Sequence, residues 1–153
     1  MKLNLTENFK PLGSDNNIDF QSFIFKGGEP HIKILTDLDN ISVVTITSQL
    51  KSFNDFGLML LSIDALKRMN VETINLFIPY FPAARQDRVM ISGEPLSVKV
   101  YADIINNAKV NNVMVYDAHS EVTPAVLNNC RVIPNHKFIK QVLQQIGEDA
   151  LLI

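Results

Sequence analysis

The chain has 153 residues, of which 46% are hydrophobic and 20% are charged, and these values predict one globular domain with a single core. The formal net charge of -2 excludes a general attraction to nucleic acid or to an anionic membrane surface. No apolar run is long enough to span a bilayer, so neither nucleic acid nor membrane is expected as a partner. The single cysteine, Cys130, excludes an intrachain disulfide, predicts a cytoplasmic setting and is interpreted as a small apolar residue.

The first third of the chain is predicted to form strands. Residues 19–25 and 31–35 alternate apolar and polar side chains, and residues 42–47 are rich in β-branched side chains. A turn is predicted between the first two strands, where two glycines precede a glutamate and a proline. These strands are expected either to form an antiparallel flap or to extend the main sheet.

From residue 54 onward, helices are predicted to alternate with strands. Helices are predicted over residues 54–69, with Asn54 as the N-cap, and over residues 95–107, with Pro95 in the first position. A short helix and a third long helix, over residues 136–145, are predicted further on. Strands are predicted over residues 72–78 and 112–116. Alternation of this kind predicts a parallel sheet with right-handed crossovers.

Polar side chains follow two of the predicted strands. Because the carboxyl ends of parallel strands open onto one edge of a sheet, these side chains are expected to share a crevice. Guanidinium groups match phosphate oxygens bidentately, and an Asp-x-His offers an oxygen and an imidazole to Mg²⁺, which keeps waters and substrate phosphates as further ligands. The pattern predicts a nucleoside triphosphate site. Its candidate residues are Arg85, Gln86, Asp87 and Arg88 after the first strand, and Asp117 and His119 after the second.

Each signal taken alone has a structural alternative. The two arginines are as well explained by a solvated loop whose charges pair with Asp87 and Glu94. A single histidine at a strand end more often satisfies backbone groups than binds metal, and Gly27-Gly28 is more often a hairpin turn than a nucleotide contact. Neither a Walker-type loop nor G-x-G-x-x-G is present, which excludes the two best-known phosphate cradles.

Four motifs occur in order along the chain. The first is Phe-x-Gly-Gly-Glu at 25–29, and the second is Asn-Asp at 54–55 followed by Leu-Leu-Ser-Ile-Asp-Ala-Leu-Lys at 60–67. The third is Ile-Pro-Tyr-Phe-Pro-Ala-Ala-Arg-Gln-Asp-Arg at 78–88, which continues with Glu-Pro-Leu-Ser-Val-Lys at 94–99. The fourth is Val-Tyr-Asp-Ala-His-Ser at 115–120. Together they resemble the N-terminal half of ribose-phosphate pyrophosphokinase, also called phosphoribosyl pyrophosphate synthetase. The resemblance covers roughly residues 25–126, and four ordered motifs are highly specific together.

The resemblance implies a fold, a reaction and a set of ligands. The fold is α/β, a three-layer α/β/α domain with a mostly parallel sheet that is phosphoribosyltransferase-like and Rossmann-like. The family transfers the β,γ-diphosphoryl group of ATP to the C1 hydroxyl of ribose 5-phosphate and releases AMP. No catalytic residue is expected in this half. The residues implied are Arg85, Gln86 and Asp87 for ATP, Phe25, Gly27, Gly28 and Glu29 for an adenine pocket supplied to the neighbouring subunit, and His119 with Asp117 for Mg²⁺.

The resemblance also implies what lies outside the chain. Residues 1–149 are expected to be the ATP-binding domain. Residues 150–153 have the pattern of a strand and are expected to be the start of an absent second domain that binds ribose 5-phosphate. A homo-oligomer is expected, and residues 1–153 alone are expected to bind ATP weakly and not to turn over.

The chain departs from the family pattern at Gly27, where Asp or Asn is usual, and at residues 89–91, which are less basic. It departs again after His119, where Asn128, Asn129 and Cys130 stand in a region that is often acidic in the family. One alternative is therefore a catalytically silent, synthetase-associated regulatory protein. Another is an unrelated small α/β phosphate-binding module.

Overall fold

Strands and helices alternate in the structure, a computed structural model that describes residues 1–13 and 15–146. Within that part, every helix is too short or too polar to cross a lipid bilayer. The predicted strand at 150–153 lies outside the described residues. The elements in chain order are β1 (Lys2–Asn4), β2 (Phe20–Ile24), β3 (Pro30–Ile34), β4 (Val43–Thr47), α1 (Phe53–Arg68), β5 (Thr73–Ile78), α2 (Ser97–Asn107), β6 (Asn112–Tyr116), α3 (Val122–Val126), β7 (Cys130–Ile133) and α4 (His136–Ile146).

The main sheet has five strands in the order β1-β4-β5-β6-β7, and every neighbouring pair is parallel. The predicted α/β fold with a mostly parallel sheet is therefore confirmed. Strands β2 and β3 form a separate antiparallel hairpin, so the early strands divide between the two predicted alternatives. The loops after β5 and β6, which are adjacent strands, leave the same edge of the sheet.

One face of the main sheet forms the core. Leu3, Ile46, Leu76 and Val113 lie opposite one another across β1, β4, β5 and β6, and each is at most 1% exposed. Burial of one such side chain contributes about 1.5–3 kcal/mol. Helix α1 packs its buried apolar face into the same core cluster. The residues of that face are Phe56, Met59, Ile63 and Leu66.

Helix α1 begins with a capping box, and its N-cap lies two residues before the predicted one. Asn54, the predicted N-cap, lies inside the first turn, and Ser52 caps the helix instead. The Asp55 backbone N–H donates to Ser52 Oγ at 3.2 Å, and the Ser52 backbone N–H donates to the Asp55 carboxylate at 2.8 Å. Two otherwise unpaired backbone N–H groups are satisfied in this way, which favours Ser52 over Asn54 as the N-cap residue.

Helix α2 begins two residues later than predicted. Pro95 was expected in the first helical position, but the helix starts at Ser97. Leu96 has a ψ of 79°, which lies outside the helical range. Pro95 therefore belongs to the loop that leads into the helix.

The β2–β3 hairpin rests on helix α1. Ile32 of β3 is 7% exposed, and a Cβ on Gly57 of α1 would come within 3.0 Å of the Pro30 ring. A glycine is needed there because the strand and the helix approach so closely. Strand β3 thus holds the hairpin against α1 as far as Pro30, next to the tip, and the tip itself, residues 25–29, is exposed.

Candidate functional site

The loop after β5 starts with a turn whose apolar side chains are buried. Phe81 is 1% exposed and Ala84 is 3% exposed. The backbone N–H of Ala84 donates to Phe81 O at 3.2 Å, and that of Gln86 donates to Ala83 O at 2.8 Å. Ala83 has a φ of 56°, a left-handed conformation that is costly for alanine and persists where surrounding packing imposes it. The turn delivers Arg85 and Gln86 to the surface from a fixed base.

Arg85 and Gln86 line an open cleft of about 680 Å³, a size typical of small-molecule sites. Within residues 1–13 and 15–146, neither side chain makes an ion pair or a side-chain hydrogen bond, so the guanidinium and the amide are available to a ligand. The cleft is lined by Arg85, Gln86, Arg88, Met90, Glu94, Pro95 and Ser97.

The alternative of a solvated, self-paired loop describes Arg88 but not Arg85. Arg88 Nε donates to Asp87 Oδ1 at 3.0 Å. Glu94 does not pair with an arginine, because its carboxylate accepts the backbone N–H groups of Met90 at 3.3 Å and Ile91 at 3.2 Å. Arg85 thus remains the free cation of this loop among the described residues.

Asp87 is a buried member of the loop and faces away from the cleft lining. Its side chain is 5% exposed, and its Oδ2 accepts a hydrogen bond from Ser120 Oγ at 2.8 Å. The hydrogen bond from Arg88, and then that from Ser120, holds the pKa of the Asp87 carboxyl below its usual value. The group is therefore an ionised carboxylate at neutral pH, already paired with partners from the protein.

The loop after β6 presents the two candidate metal ligands. Asp117 has a φ of 47°, which aspartate tolerates better than most residues. Its backbone N–H donates to Ile133 O at 2.9 Å, and its Oδ2 accepts from Asn135 Nδ2 at 2.7 Å. His119 follows two residues later and is exposed. The Ser120–Asp87 hydrogen bond joins this loop to the loop after β5. Neither Asp117 nor His119 lines the Arg85 cleft, so a crevice shared by the two sets of side chains stays a prediction.

The donors of the β6 loop fit magnesium better than a structural metal. Among the described residues, no group of three or more His, Cys, Asp or Glu side chains is arranged to hold an ion. Asp117 and His119 offer one carboxylate and one imidazole, which suits Mg²⁺ because it completes its shell with water and substrate phosphates. A structural zinc site would need four protein ligands.

The hairpin tip carries the predicted adenine-pocket residues and lies apart from the arginine cleft. The backbone N–H of Phe25 donates to Glu29 O at 2.8 Å, and that of Gly28, whose φ is 99°, donates to Phe25 O at 2.9 Å. A Cβ on Gly27 would lie 2.5 Å from the Glu29 carboxylate. None of these four residues lines the cleft, so the structure does not bring them to the Arg85 site within one chain.

Two polar residues of the site were not assigned a role from sequence. Ser120 binds Asp87, and Asn135 binds Asp117. Ser120 directly follows the candidate ligand His119, which is the one sequence signal that singles it out. Cys130 is half-buried, and burial raises the pKa of its thiol, which supports its interpretation as an apolar residue rather than a nucleophile.

Comparison with known proteins places this geometry in a family. The family model described as the N-terminal domain of ribose phosphate pyrophosphokinase matches residues 14–108. The ribose-phosphate pyrophosphokinase of Mycoplasma pneumoniae is 32% identical over 136 residues, which cover 84% of this chain and 40% of that protein. The enzyme of the same name from Fusobacterium nucleatum is 37% identical over 98 residues, which cover 63% of this chain and 31% of that protein.

A solved structure shares the fold. The crystal structure of phosphoribosylpyrophosphate synthetase from Mycobacterium smegmatis superimposes with a TM-score of 0.73 at 22% sequence identity, and the match covers 87% of this chain and 44% of that one. The chain therefore spans less than half the length of these relatives. Because the family model matches more than half of the chain, the chain belongs to the ribose-phosphate pyrophosphokinase family, in the region of its N-terminal domain.

Proposed function

We propose that this chain is the ATP-binding half of a ribose-phosphate diphosphokinase. The enzyme would transfer the β,γ-diphosphoryl group of ATP to the C1 hydroxyl of ribose 5-phosphate, giving 5-phosphoribosyl 1-diphosphate and AMP. The observation that carries the proposal is the pair Arg85 and Gln86, whose side chains have no partner among the described residues and which line a cleft at the carboxyl edge of a parallel sheet. The names of the relatives, which are ribose-phosphate pyrophosphokinases, support the reaction class.

Arg85 and Gln86 are proposed to hold the nucleotide. A guanidinium group can engage two phosphate oxygens at once, which fixes their orientation as well as neutralising charge. The amide of Gln86 offers both donors and an acceptor. Neither nearby carboxylate pairs with Arg85 in the described structure, since Asp87 accepts from Arg88 and Ser120, and Glu94 Oε2 accepts backbone N–H groups.

Asp117 and His119 are proposed to hold Mg²⁺. When bound, the ion would supply charge neutralisation and orientation of the phosphates. Asn135 holds the Asp117 carboxylate in place, so the loop presents a fixed oxygen. The position of this loop beside the Arg85 loop supports assigning the ion and the nucleotide to one site.

The chemistry asks for alignment more than for covalent catalysis. A bond forms between the C1 hydroxyl oxygen and the β-phosphorus of ATP, and the bond from that phosphorus to the departing AMP oxygen breaks. Such a displacement is accelerated by holding both reactants in line and by stabilising the developing charge. No residue described here is assigned a covalent role. The ribose 5-phosphate site is proposed to lie in the part of the relatives that has no counterpart in these residues.

The hairpin tip is proposed to complete an adenine pocket in a neighbouring subunit of a homo-oligomer. Phe25 is 51% exposed, and its ring lies against Phe23 and His31 with centroids 4.8 and 5.4 Å away. An aromatic surface of this kind suits stacking on a base. None of the tip residues lines the cleft of its own chain, which favours a role in a neighbouring subunit. A cytoplasmic setting is part of the same proposal.

Calorimetric titration of ATP and Mg²⁺ into the chain tests the ATP assignment. We expect binding that Arg85→Ala weakens at least about tenfold, the effect of losing a charge-assisted hydrogen bond. Arg68→Ala is the matched control, because Arg68 is exposed on α1 and pairs only with Asp64. No binding by the folded wild-type chain would favour the silent regulatory protein instead.

Isotope-traced conversion of ribose 5-phosphate tests the assignment of the two halves. Residues 1–153 alone are expected to release no labelled product from ATP and ribose 5-phosphate. Turnover by this chain would overturn the proposal that the second substrate binds elsewhere.

A further inference from the structure

The carboxylate of Asp87 joins two loops that the proposed function assigns to different ligands. Asp87 follows Gln86, a proposed ATP contact, and its hydrogen-bond partner Ser120 follows His119, a proposed metal ligand. We propose that Asp87 and Ser120 form a clasp that sets the nucleotide loop against the metal loop. Asp87 is then a positioning residue rather than a ligand of ATP. This inference rests on the proposed function and refines it.

Both oxygens of the Asp87 carboxylate are engaged by protein donors. Oδ1 accepts from Arg88 Nε at 3.0 Å and Oδ2 accepts from Ser120 Oγ at 2.8 Å. The side chain is 5% exposed and does not line the cleft. A free carboxylate beside a triphosphate would repel it, since like charges in a partly dry site interact strongly. Pairing with the Arg88 guanidinium offsets that repulsion and leaves the carboxylate a structural acceptor.

The clasp extends from one loop into the start of the next helix. Ser120 Oγ also accepts the backbone N–H of Val122 at 3.4 Å, so the hydroxyl is held from both sides. Between residues 79–96 and residues 117–121, the described structure contains no other hydrogen bond that joins the two loops. Each clasp residue is one peptide unit from a proposed ligand residue. Loss of the clasp therefore frees the two ligand sets to move relative to each other.

The consequence is a coupling between metal and nucleotide. If the clasp holds the loops at the spacing that one MgATP complex needs, then adding Mg²⁺ strengthens ATP binding more when the clasp is intact. The nucleotide contacts of Arg85 do not depend on that spacing when no metal is present. Coupling of two ligands is a difference of binding free energies and is reciprocal, so it is measured by titrating ATP with and without Mg²⁺.

The experiment compares the gain in ATP affinity on adding Mg²⁺ across four proteins. They are the wild-type chain, Ser120→Ala, Ser120→Thr and Ser92→Ala. We expect Ser120→Ala to reduce the gain by about tenfold, as for a hydrogen bond to a charged group, and to leave Mg²⁺-free ATP affinity unchanged. Ser120→Thr keeps the hydroxyl and is expected to restore most of the gain. Ser92→Ala removes an exposed hydroxyl of the β5–α2 loop and is expected to match the wild type.

Several outcomes would overturn the clasp. An unchanged gain in Ser120→Ala would do so, and so would an equal loss with and without Mg²⁺, which a general structural defect would cause. If Ser120→Ala does not fold, Asp87→Ala takes its place because it removes the acceptor of the Ser120 hydroxyl, and an undiminished gain in that variant counts against the clasp. A wild-type chain that binds no ATP would refute the proposed function itself, and the clasp with it, which separates the two failures.

Discussion

The β5–α2 loop and the tip of the β2–β3 hairpin are both predicted nucleotide contacts, but the chain holds them in different ways. The loop is anchored by Phe81, which is 1% exposed, and Ala84, which is 3% exposed, whereas Phe25 at the tip is 51% exposed. The loop therefore builds its part of the site from the chain's own core. The tip is exposed although the neighbouring Pro30 lies against α1, and it would need another surface to enclose an adenine ring.

The largest expected difference between the two regions is in how much a substitution lowers the stability of the fold. Phe81→Ala should lower the free energy of unfolding by about 3–5 kcal/mol, because it removes a buried aromatic side chain and leaves a cavity. Phe25→Ala is the matched substitution at the tip and should lower stability by only about 0.5–1.5 kcal/mol, because it removes exposed ring contacts with Phe23 and His31. Urea unfolding of both variants measures the difference. Equal losses would contradict the contrast between the two regions.

The next largest effect is on the Mg²⁺ dependence of ATP binding at the loops after β5 and β6. His119→Ala should reduce the Mg²⁺-dependent part of ATP affinity by about tenfold, the lower end of the loss typical for altered metal sites. ATP affinity without Mg²⁺ should stay the same. His136→Ala is the control, since His136 is an exposed residue at the start of α4. Calorimetric titration of ATP with and without Mg²⁺ measures this difference. If both variants show the same Mg²⁺-dependent gain in ATP affinity, His119 is not a metal ligand of the site.

A smaller effect is expected at the hairpin tip, and only in the assembled protein. Phe25→Ala removes one aromatic face, which contributes about 0.5–1.5 kcal/mol in comparable ring contacts. We expect weaker ATP binding at concentrations where sedimentation shows self-association, and no change where the chain is monomeric. A loss of affinity in the monomer would show that the tip serves its own cleft.

The smallest effect is a change in the pH dependence of stability. A carboxyl whose pKa is lowered in the folded state, as that of Asp87 is by Arg88 and then Ser120, stabilises the fold above its unfolded pKa. The contribution is lost as pH falls through the folded pKa. We therefore expect Asp87→Asn to flatten the decline in unfolding free energy below about pH 4.

Urea unfolding across that acid range measures the effect. Asp39→Asn, at an exposed position, is the control. The same acid dependence in both variants would contradict the pairing of Asp87.

Elements with a sustained period were predictable from sequence, whereas the two shortest strands were not. The strand predicted over residues 112–116 agrees with β6 at both ends, and the helix predicted over 54–69 differs from α1 by one residue at each end. Strands β1 and β7 were not predicted, because three and four residues are too few to display a period of two. Their pairing with β4 and β6 is decided by contacts distant in sequence.

The candidate site divides in the same way. Position after a strand was enough to bring Arg85 and His119 to one edge of the sheet, because parallel topology dictates it. The sequence groups Asp87 with its neighbours Arg85 and Gln86, yet its environment is set by Ser120, which lies 33 residues away. A contact at that separation leaves no periodic or local signal. For the same reason, Ser120 had no predicted role, although it lies within one of the four motifs.

The most direct test of the central claim is a nitrogen-15 NMR titration of the 153-residue chain with MgATP. We expect the amide signals of Arg85 and Gln86 to shift together with that of His119, and the signals of residues 25–29 to stay in place in the monomer. Shifts confined to the hairpin tip, or to the separate polar cavity lined by Asn4 and Lys10, would contradict it.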